Sequence, residues 1–384
     1  MAHLYSWDIF CRVIDNLGDI GVCWRLSADL ARRGHRVRLW VDDPAPLAWM
    51  APGALQGQWP GVRVLPWEQQ RQPTTFAGLE PADVWVEGFG FEPEPEFIAH
   101  RFAAARSPAR EPVWINLEYL SAETFATRAH GLPSPISSGP ARGHTRWFFY
   151  PGLGRNSGGL LREEGLLARQ ARFDRRDWLA SQGIHWAGER LVSLFCYEPA
   201  ALPAMLQQLS QASRPTLLLV AAGRGAAAAR EALGLARQPG FGQTVTCRRG
   251  ALTTLLLPQL SQTAFDHVLW ACDLNYVRGE DSFVRALWAG KPLVWQIYPQ
   301  HDGAHHAKLR AMLDALDAPP TWREYHLAWN GIGEARLPEP DPADWETAVQ
   351  EARGALLDQS NLGYRLCAFV EHLSWQPGTA QKQS

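Results

Sequence analysis

Short apolar runs alternate with segments of helical periodicity along most of the chain. At the start, the pattern predicts a strand over Tyr5–Ile14, a helix over Ile20–Arg33 that stops at Gly34, and a second strand over His35–Val41. A strand, a helix and a strand in this order are typical of a parallel sheet. We therefore expect an α/β fold with its ligand-binding residues at the carboxyl ends of the strands.

The same rhythm is interrupted by a charged stretch over 169–189 and begins again with a strand over Leu191–Cys196. Such a stretch is typical of a linker between domains. At 384 residues the chain is long enough for two domains with a core each. We predict two Rossmann-like domains, over 1–180 and 181–360, that face a central cleft, and a C-terminal helix over 361–376 that packs back on the first.

One polar segment in the second half is the best candidate for a ligand site. The pattern predicts a strand over Leu274–Val277, a turn over 278–281 and a helix that begins at Ser282. A helix start offers free N–H groups and the positive end of the helix dipole to an anion such as a diphosphate. Gly279 would allow a close backbone approach, and Arg278 would face the charge.

The two acids of that turn leave alternatives open. Glu280 and Asp281 have the wrong sign for a phosphate, so they would accept hydrogen bonds from ligand hydroxyl or N–H groups, or cap the helix. An ordinary strand-to-helix turn with a capping Asp281 and an exposed Arg278 would leave the same pattern. Tyr197 and Glu198 follow the strand over Leu191–Cys196, so we expect them at the same edge of the sheet.

The first half carries a pair of acids. Asp15 and Asp19 both lie in the first predicted turn, which does not match the dinucleotide-binding pattern G-x-G-x-x-G. Asp15 could simply form the turn and Asp19 could cap the helix. Together with an anion-binding helix start in the other half, these acids suit group transfer from a nucleotide-diphosphate donor to a nucleophile, with a carboxylate as base.

Two other polar segments have weaker signals. The stretch over 121–146 shows little periodicity, which is typical of a mobile or functional loop. His301, His305 and His306 invite a metal interpretation, since His301 and His305 are one helical turn apart. Because no H-E-x-x-H pattern or cysteine cluster accompanies them, a hydrogen-bonded loop or a ligand contact is the better interpretation.

Composition narrows the partners and the compartment. With 20% charged residues and a formal net charge of −2, the chain is not suited to dominant electrostatic binding of nucleic acid or membranes. Its 6 cysteines are scattered without a C-x-x-C pair, which indicates reduced core residues. No signal-peptide pattern or membrane-length apolar run is evident, so we expect a cytoplasmic protein. Most of the 18 tryptophans stand in apolar runs and are expected in the core.

Three long stretches resemble one known family. Trp7–Leu26, Trp114–Glu123 and Leu269–Pro292 are similar to the protein-arginine rhamnosyltransferases that modify bacterial translation elongation factor P (the EarP family). The resemblance extends from Tyr5 to about His372. It implies the two-domain glycosyltransferase B fold and the donor dTDP-β-L-rhamnose. It also implies an inverting, metal-independent reaction without a cofactor, and activation of the acceptor to relieve ribosome stalling at polyproline.

The resemblance also assigns residues. Asp19 matches the general base and Asp15 an essential partner in the same turn. The positions implied to bind the nucleotide sugar are Asn16, Gly18, Tyr197, Gln262, Arg278, Gly279, Glu280, Asp281 and Ser282. Loops near Glu118 and over 121–146 are candidates for gripping the acceptor.

One segment departs from the family pattern. Pro258–Gln262 is looser than the Pro-Phe-x-Pro-Gln form, which puts the base-packing contacts around Gln259 and Leu260 in doubt. Another nucleotide-sugar transferase or an epimerase of the same fold is the first alternative. A binding module that has lost its chemistry is the second, although the presence of both acids argues against it.

Overall fold

The computed structural model describes residues 3–13, 17–76, 78–104, 111–235, 245–333 and 336–375. The chain divides into two compact units, of which the first joins Met1–Glu164 to Gln359–Ser384 and the second is Gly165–Asp358. The sequence-based boundary at 180 therefore differs, since residues 165–180 belong to the second unit. The reason is packing, because Leu179 lies in the same core cluster as Leu191 and Leu217.

The first unit alternates strands and helices around one sheet. Its elements are β1 (Ser6–Cys11), α1 (Gly18–Arg32), β2 (Arg36–Val41), α2 (Leu47–Met50), β3 (Val62–Pro66), a 3₁₀ helix (Trp67–Arg71), α3 (Pro73–Phe76), β4 (Val84–Gly88), α4 (Pro95–Ala104), β5 (Val113–Leu117), α5 (Thr124–Ala129), β6 (Pro133–Pro135), β7 (Thr145–Phe149) and the C-terminal α15 (Leu362–Ser374). Helix α15 packs on α1 and β5 of this unit.

The second unit repeats the alternation. Its elements are α6 (Leu166–Ala171), α7 (Arg175–Ser181), β8 (Arg190–Leu194), α8 (Leu202–Gln211), β9 (Thr216–Val220), α9 (Arg224–Ala232), β10 (Val245–Arg249), β11 (Leu252–Leu256), α10 (Gln262–Ala271), β12 (Leu274–Arg278), α11 (Gly279–Ala289), β13 (Leu293–Gln296), α12 (Ala304–Ala315), α13 (Pro320–Trp329) and α14 (Pro342–Leu357).

Both sheets are mainly parallel. The first has the order β3-β2-β1-β4-β5-β7-β6 and the second the order β10-β11-β9-β8-β12-β13. Only the edge pairs β6–β7 and β10–β11 run antiparallel among the described residues. In parallel sheets the carboxyl ends of neighbouring strands meet at one edge, where loops and helix starts can gather around a ligand.

Burial of both sheet faces explains why the central strands read as continuous apolar runs. In the first unit, Ile9 and Val86 pack on one face with α1 residues, whereas Phe10 and Trp85 pack on the other with an aromatic cluster. The tryptophans in apolar runs are buried, as predicted. Within the described residues, no helix combines the length and the low polarity that crossing a membrane would require.

Several predicted elements shift or were missed. The first strand ends at Cys11 and the first helix begins at Gly18. The stretch over 121–146 was wrongly predicted as a loop, because it contains α5, β6 and the start of β7. The missed strand β11 lies between β9 and β10, and its apolar residues fit a helix or a strand equally well by pattern alone.

Candidate active site

Most of the predicted site residues that the structure describes follow or end strands of the two sheets. In the first unit, Gly18 and Asp19 open α1, which follows β1. Asp15 and Asn16 lie outside the described residues, so their predicted roles stay predictions. In the second unit, Tyr197 follows β8 and Arg278 ends β12.

Asp19 lies in the first turn of α1 rather than at its N-cap. The N-cap residue is Leu17, and no side-chain hydrogen bond caps this helix start within the described chain. The interpretation of Asp19 as a helix cap is therefore wrong. A carboxylate in the first turn still interacts favourably with the helix dipole. Asp19 is half-buried, and the adjacent Gly18 is exposed.

Polar contacts hold the chain just before this turn. Asp42, which follows β2, accepts a 2.8 Å hydrogen bond from the Val13 N–H group. Nearby, a hydrogen bond with the Cys23 thiol and burial raise the pKa of the Cys11 thiol, and the negative charge of Asp19 adds to the effect. The Cys11 thiol therefore stays protonated and neutral, so it adds no charge near Asp19.

Helix α1 is anchored to the rest of its unit by buried charge. Arg25 donates to Glu163 over 3.0 Å, and both side chains are 5% exposed. One turn further on, Asp29 pairs with Arg33 over 2.9 Å, and Arg33 also donates to Asn361, the N-cap residue of α15. These contacts fix the position of the helix that carries Asp19.

In the second unit, Arg278 lies between two aromatic rings. Its guanidinium carbon is 4.5 Å from the Phe195 ring centroid and 4.6 Å from that of Tyr197. Its Nη1 atom is buried and has no hydrogen-bond partner among the described residues. Burial lowers the pKa of Arg278. A desolvated cation with an unused N–H donor is suited to bind an anion.

The chain passes directly from β12 into α11. The helix begins at Gly279, not at Ser282 as predicted, and no side chain caps it within the described residues. Gly279 has φ +63°, a conformation that glycine adopts without strain, and its carbonyl accepts a 2.6 Å hydrogen bond from Trp295 Nε1. The Ser282 hydroxyl hydrogen-bonds with the backbone of Arg278. The predicted turn is thus the first turn of the helix.

The acids of this first turn differ in their surroundings. Glu280 accepts a 2.7 Å ion-pair hydrogen bond from Lys308 of α12. This contact neutralises a negative charge beside the helix start. Asp281 is half-buried in the same turn. The predicted capping role of Asp281 is wrong, because the N-cap residue is Arg278. The roles of both acids toward a ligand stay predictions.

Tyr197 is brought into contact with this helix start. A Cβ atom at Gly279 would lie 3.2 Å from the Tyr197 hydroxyl oxygen, so the two residues approach closely. The Tyr197 N–H group donates to Gln296 over 2.7 Å, which ties β8 to β13. Gln262 is buried at the start of α10. That helix is joined to α11 by the buried Asp266–Arg285 ion pair at 2.7 Å.

Sequence reasoning missed Phe195 and Arg224, which lie around Arg278, whereas it placed Glu198 at this edge of the sheet. Phe195 supplies one of its aromatic contacts, and Arg224 and Glu198 form an ion pair at the same sheet edge. A signal was present, since Gly223-Arg-Gly225 follows the strand β9 and opens the helix α9. A glycine-flanked turn between a strand and a helix is typical of anion-binding sites.

His305 and His306 lie in the first turn of α12, and His305 binds the loop that precedes the helix. His305 Nδ1 accepts a 3.1 Å hydrogen bond from the Gln300 N–H group, in agreement with the preferred interpretation. Across the part of the chain that the structure describes, no group of three or more histidine, cysteine, aspartate or glutamate residues could hold a metal ion.

Comparison with known proteins decides the family. A family model described as the elongation factor P (EF-P) rhamnosyltransferase EarP matches residues 7–371. The chain belongs to the EarP family. A protein-arginine rhamnosyltransferase of Pseudomonas aeruginosa is 45% identical over 95% of this chain and 98% of its own length. Its counterpart in Neisseria meningitidis is 32% identical over 94% of this chain and 96% of its own length.

Solved structures agree with this family. A structure that describes EarP-mediated arginine glycosylation of translation elongation factor EF-P is 30% identical, with a TM-score of 0.63, and covers 96% of this chain and 99% of that one. A glycosyltransferase from Rickettsia africae is 8% identical over 97% of this chain and 98% of its own, with a TM-score of 0.50, and shows likeness of fold alone. The EarP chain thus has the glycosyltransferase B fold.

Proposed function

We propose that the chain transfers L-rhamnose from dTDP-β-L-rhamnose to an arginine side chain of translation elongation factor P. The membership of the EarP family supports an arginine rhamnosyltransferase. The observation that carries the donor proposal is Arg278, with its unused Nη1 donor at the start of α11. A diphosphate matches that donor in charge and geometry.

The leaving group calls for positive charge. When the bond between the anomeric carbon and the diphosphate oxygen breaks, dTDP gains negative charge. Arg278 and the first N–H groups of α11 would stabilise it without a metal. The Glu280–Lys308 ion pair keeps the nearby carboxylate from opposing that charge. The proposed donor-binding set is Asn16, Gly18, Tyr197, Gln262, Arg278, Gly279, Glu280, Asp281 and Ser282.

The acceptor calls for negative charge and a base. An arginine guanidinium is protonated in water and is a poor nucleophile, so an enzyme must take a proton as the C–N bond forms. We assign Asp19 as the base and Asp15 as its partner in holding the guanidinium. The guanidinium nitrogen attacks the anomeric carbon directly, the proton goes to Asp19, and dTDP leaves. A single displacement inverts the anomeric centre and needs no nucleophile from the enzyme.

The partners follow from this reaction. They are the acceptor protein and the nucleotide sugar, and neither nucleic acid nor a membrane takes part. Since a translation factor works in the cytoplasm, we place the reaction there. Modification would activate the factor to relieve ribosome stalling at polyproline. The loops near Glu118 are our candidates for acceptor contact.

A direct test mixes the purified chain, elongation factor P and dTDP-β-L-rhamnose, followed by intact-mass and peptide mass spectrometry. We expect one deoxyhexose on an arginine, absent when the donor or the enzyme is omitted. NMR of the product should show an α-linkage. Added EDTA should leave the rate unchanged. Donor conversion without acceptor modification would instead indicate an epimerase, and activity restored by added metal would contradict a metal-independent reaction.

A further inference from the structure

A second arginine lies beside Arg278 at the edge of the second sheet. Arg224 is the first residue of α9 and pairs with Glu198, which follows Tyr197 after β8. Its Nε and Nη2 atoms donate to the two carboxylate oxygens over 3.2 and 2.5 Å. The side chains are 54% and 49% exposed, so water and ligands reach both groups.

Backbone geometry brings this arginine close to the candidate donor site. Strand β8 lies between β9 and β12 in the sheet, so the starts of α9 and α11 flank its carboxyl end. Gly223, the N-cap residue of α9, has φ +131°, and a Cβ atom there would lie 3.8 Å from Arg278 Nη2. A Cβ atom at Gly225 would lie 2.6 Å from the Cys196 carbonyl oxygen, so α9 packs tightly on the end of β8.

Two arginines come close together beside the end of β8. Arg224 and Arg278 bring two positive charges, and Glu198 brings one negative charge that already pairs with Arg224. Burial is the main cause that lowers the pKa of Arg278, and the positive charge of Arg224 lowers it further. An anion that touched both arginines would relieve their repulsion. A diphosphate has two negatively charged groups, so each arginine could pair with one of them.

A ligand phosphate could readily replace Glu198 as the partner of Arg224. Ion pairs between exposed side chains contribute little to stability, because water solvates both charges nearly as well when they are apart. Replacing the carboxylate by a phosphate oxygen therefore costs little and gains a second contact with the ligand.

We propose that Arg224 is a second diphosphate-binding residue, and that Glu198 holds its side chain until the nucleotide's phosphate replaces the carboxylate. This inference rests on the proposed function, in which the second unit binds a nucleoside diphosphate sugar. It adds a residue outside the predicted site and assigns Glu198 as a competitor of the ligand.

Calorimetry on the full chain with dTDP, dTMP and thymidine tests the proposal. Arg224→Ala should weaken dTDP binding about tenfold and leave thymidine binding unchanged, because only the phosphates contact the arginine. Glu198→Gln should strengthen dTDP binding by roughly threefold, since a weak competing ion pair is removed. In the double variant the affinity should equal that of Arg224→Ala alone, because Glu198 acts only through Arg224.

Arg175→Ala is the matched control. Arg175 forms a partly exposed 2.8 Å ion pair with Asp273, which precedes β12 at the opposite end of that strand from Arg278. It should leave dTDP affinity unchanged. Thermal unfolding of each variant shows whether it is folded before binding is compared.

Two outcomes would overturn the inference. One is normal dTDP affinity in Arg224→Ala, and the other is an equal loss for dTDP and thymidine, which would indicate a general change in the site. If Arg278→Ala weakens dTDP binding and Arg224→Ala does not, the proposed function stands and the role of Arg224 fails. If neither variant changes dTDP binding, the proposed donor site fails as well.

Discussion

Each unit has a charged side chain at the carboxyl end of a parallel strand, and the two differ in burial and in how their hydrogen-bonding groups are matched. Glu87 is the last residue but one of β4 in the first unit and is fully buried. It accepts hydrogen bonds from Trp114 Nε1 over 2.8 Å and from Arg146 Nη1 over 3.0 Å. Burial raises its pKa to about 7, even though Arg146 opposes the shift.

Arg278 occupies the corresponding place in the second unit without such a partner. Two aromatic rings contact its guanidinium, and its buried Nη1 atom has no hydrogen-bond acceptor among the described residues. Leaving a buried polar atom without a hydrogen-bond partner is costly, so folded chains retain one only where something else compensates.

The contrast between Glu87 and Arg278 distinguishes a charge that serves the structure from one that is suited to bind a ligand. Glu87 is matched by its own chain and links β4 to the adjacent strand β5 and to β7 beyond it. Arg278 is matched in part, and the missing partner is what a diphosphate would supply. A buried charge therefore indicates a ligand site only when its hydrogen-bonding capacity is left unfilled.

The largest effect should come from the acid that does chemistry in the first unit. Asp19→Asn should lower the rate of arginine rhamnosylation by about 10²- to 10⁴-fold, because it removes the general base. Its dTDP affinity should stay near that of the unaltered protein. Glu87→Gln serves as the matched control and should keep most of the rate. Mass spectrometry of the acceptor over time measures the rate. An equal loss of rate in Asp19→Asn and Glu87→Gln would contradict the assignment of Asp19 as the base.

Glu87 should instead affect how the stability of the folded protein depends on pH. Its folded pKa is raised to about 7 from an ordinary value of 4.5, so the folded state holds this proton more tightly than the unfolded state does. The contribution to stability is then full below pH 4.5 and lost as the pH rises to about 7, by up to about 3 kcal/mol. Glu87→Gln should remove this part of the pH dependence. Denaturant unfolding at several pH values measures the free energy of unfolding of both proteins. The same pH dependence in Glu87→Gln and in the unaltered protein would contradict a raised pKa of Glu87.

Arg278→Ala should weaken dTDP binding by about 1.5–3 kcal/mol, since it removes a charge-assisted contact. Calorimetry with dTDP gives this value directly. Arg175→Ala, at the opposite end of β12, is the control for loss of an arginine from the same unit. Unchanged dTDP affinity in Arg278→Ala would contradict the proposal that Arg278 Nη1 binds the diphosphate.

The smallest effect concerns the neighbouring ion pair. Lys308→Met should weaken dTDP binding by roughly threefold, because it removes the cation paired with the Glu280 carboxylate beside the proposed phosphate site. Adding Glu280→Gln should restore the part of the affinity that the charge had removed. If Glu280 also accepts a hydrogen bond from the donor, restoration will be incomplete. No change in Lys308→Met would show that this pair does not act on the diphosphate.

Much of the fold was predictable because local patterns determine it. The opening strand, helix and strand follow from apolar runs and from Gly34, whose φ of +95° ends the helix as expected. The family resemblance pointed to Arg278 and to its helix before any contact was known. Asp15 and Asn16 lie outside the described residues, so their places in the site were not tested.

What sequence reasoning missed depends on partners far apart in the chain. Arg278-Gly-Glu-Asp281 looks like a turn, but Trp295 holds the Gly279 carbonyl and lets the strand continue directly into the helix. The sequence did not indicate that Glu87 is a buried acid, because its partner Arg146 lies 59 residues away along the chain. Likewise, Arg224 joins the site only because β8 lies between β9 and β12.

A crystal structure of the chain with dTDP bound tests the central claim most directly. We expect a phosphate oxygen within about 3 Å of Arg278 Nη1 and of the first N–H groups of α11, which is ordinary hydrogen-bond distance. Nucleotide bound elsewhere, with Nη1 still lacking an acceptor, would contradict the assignment of this helix start as the donor site.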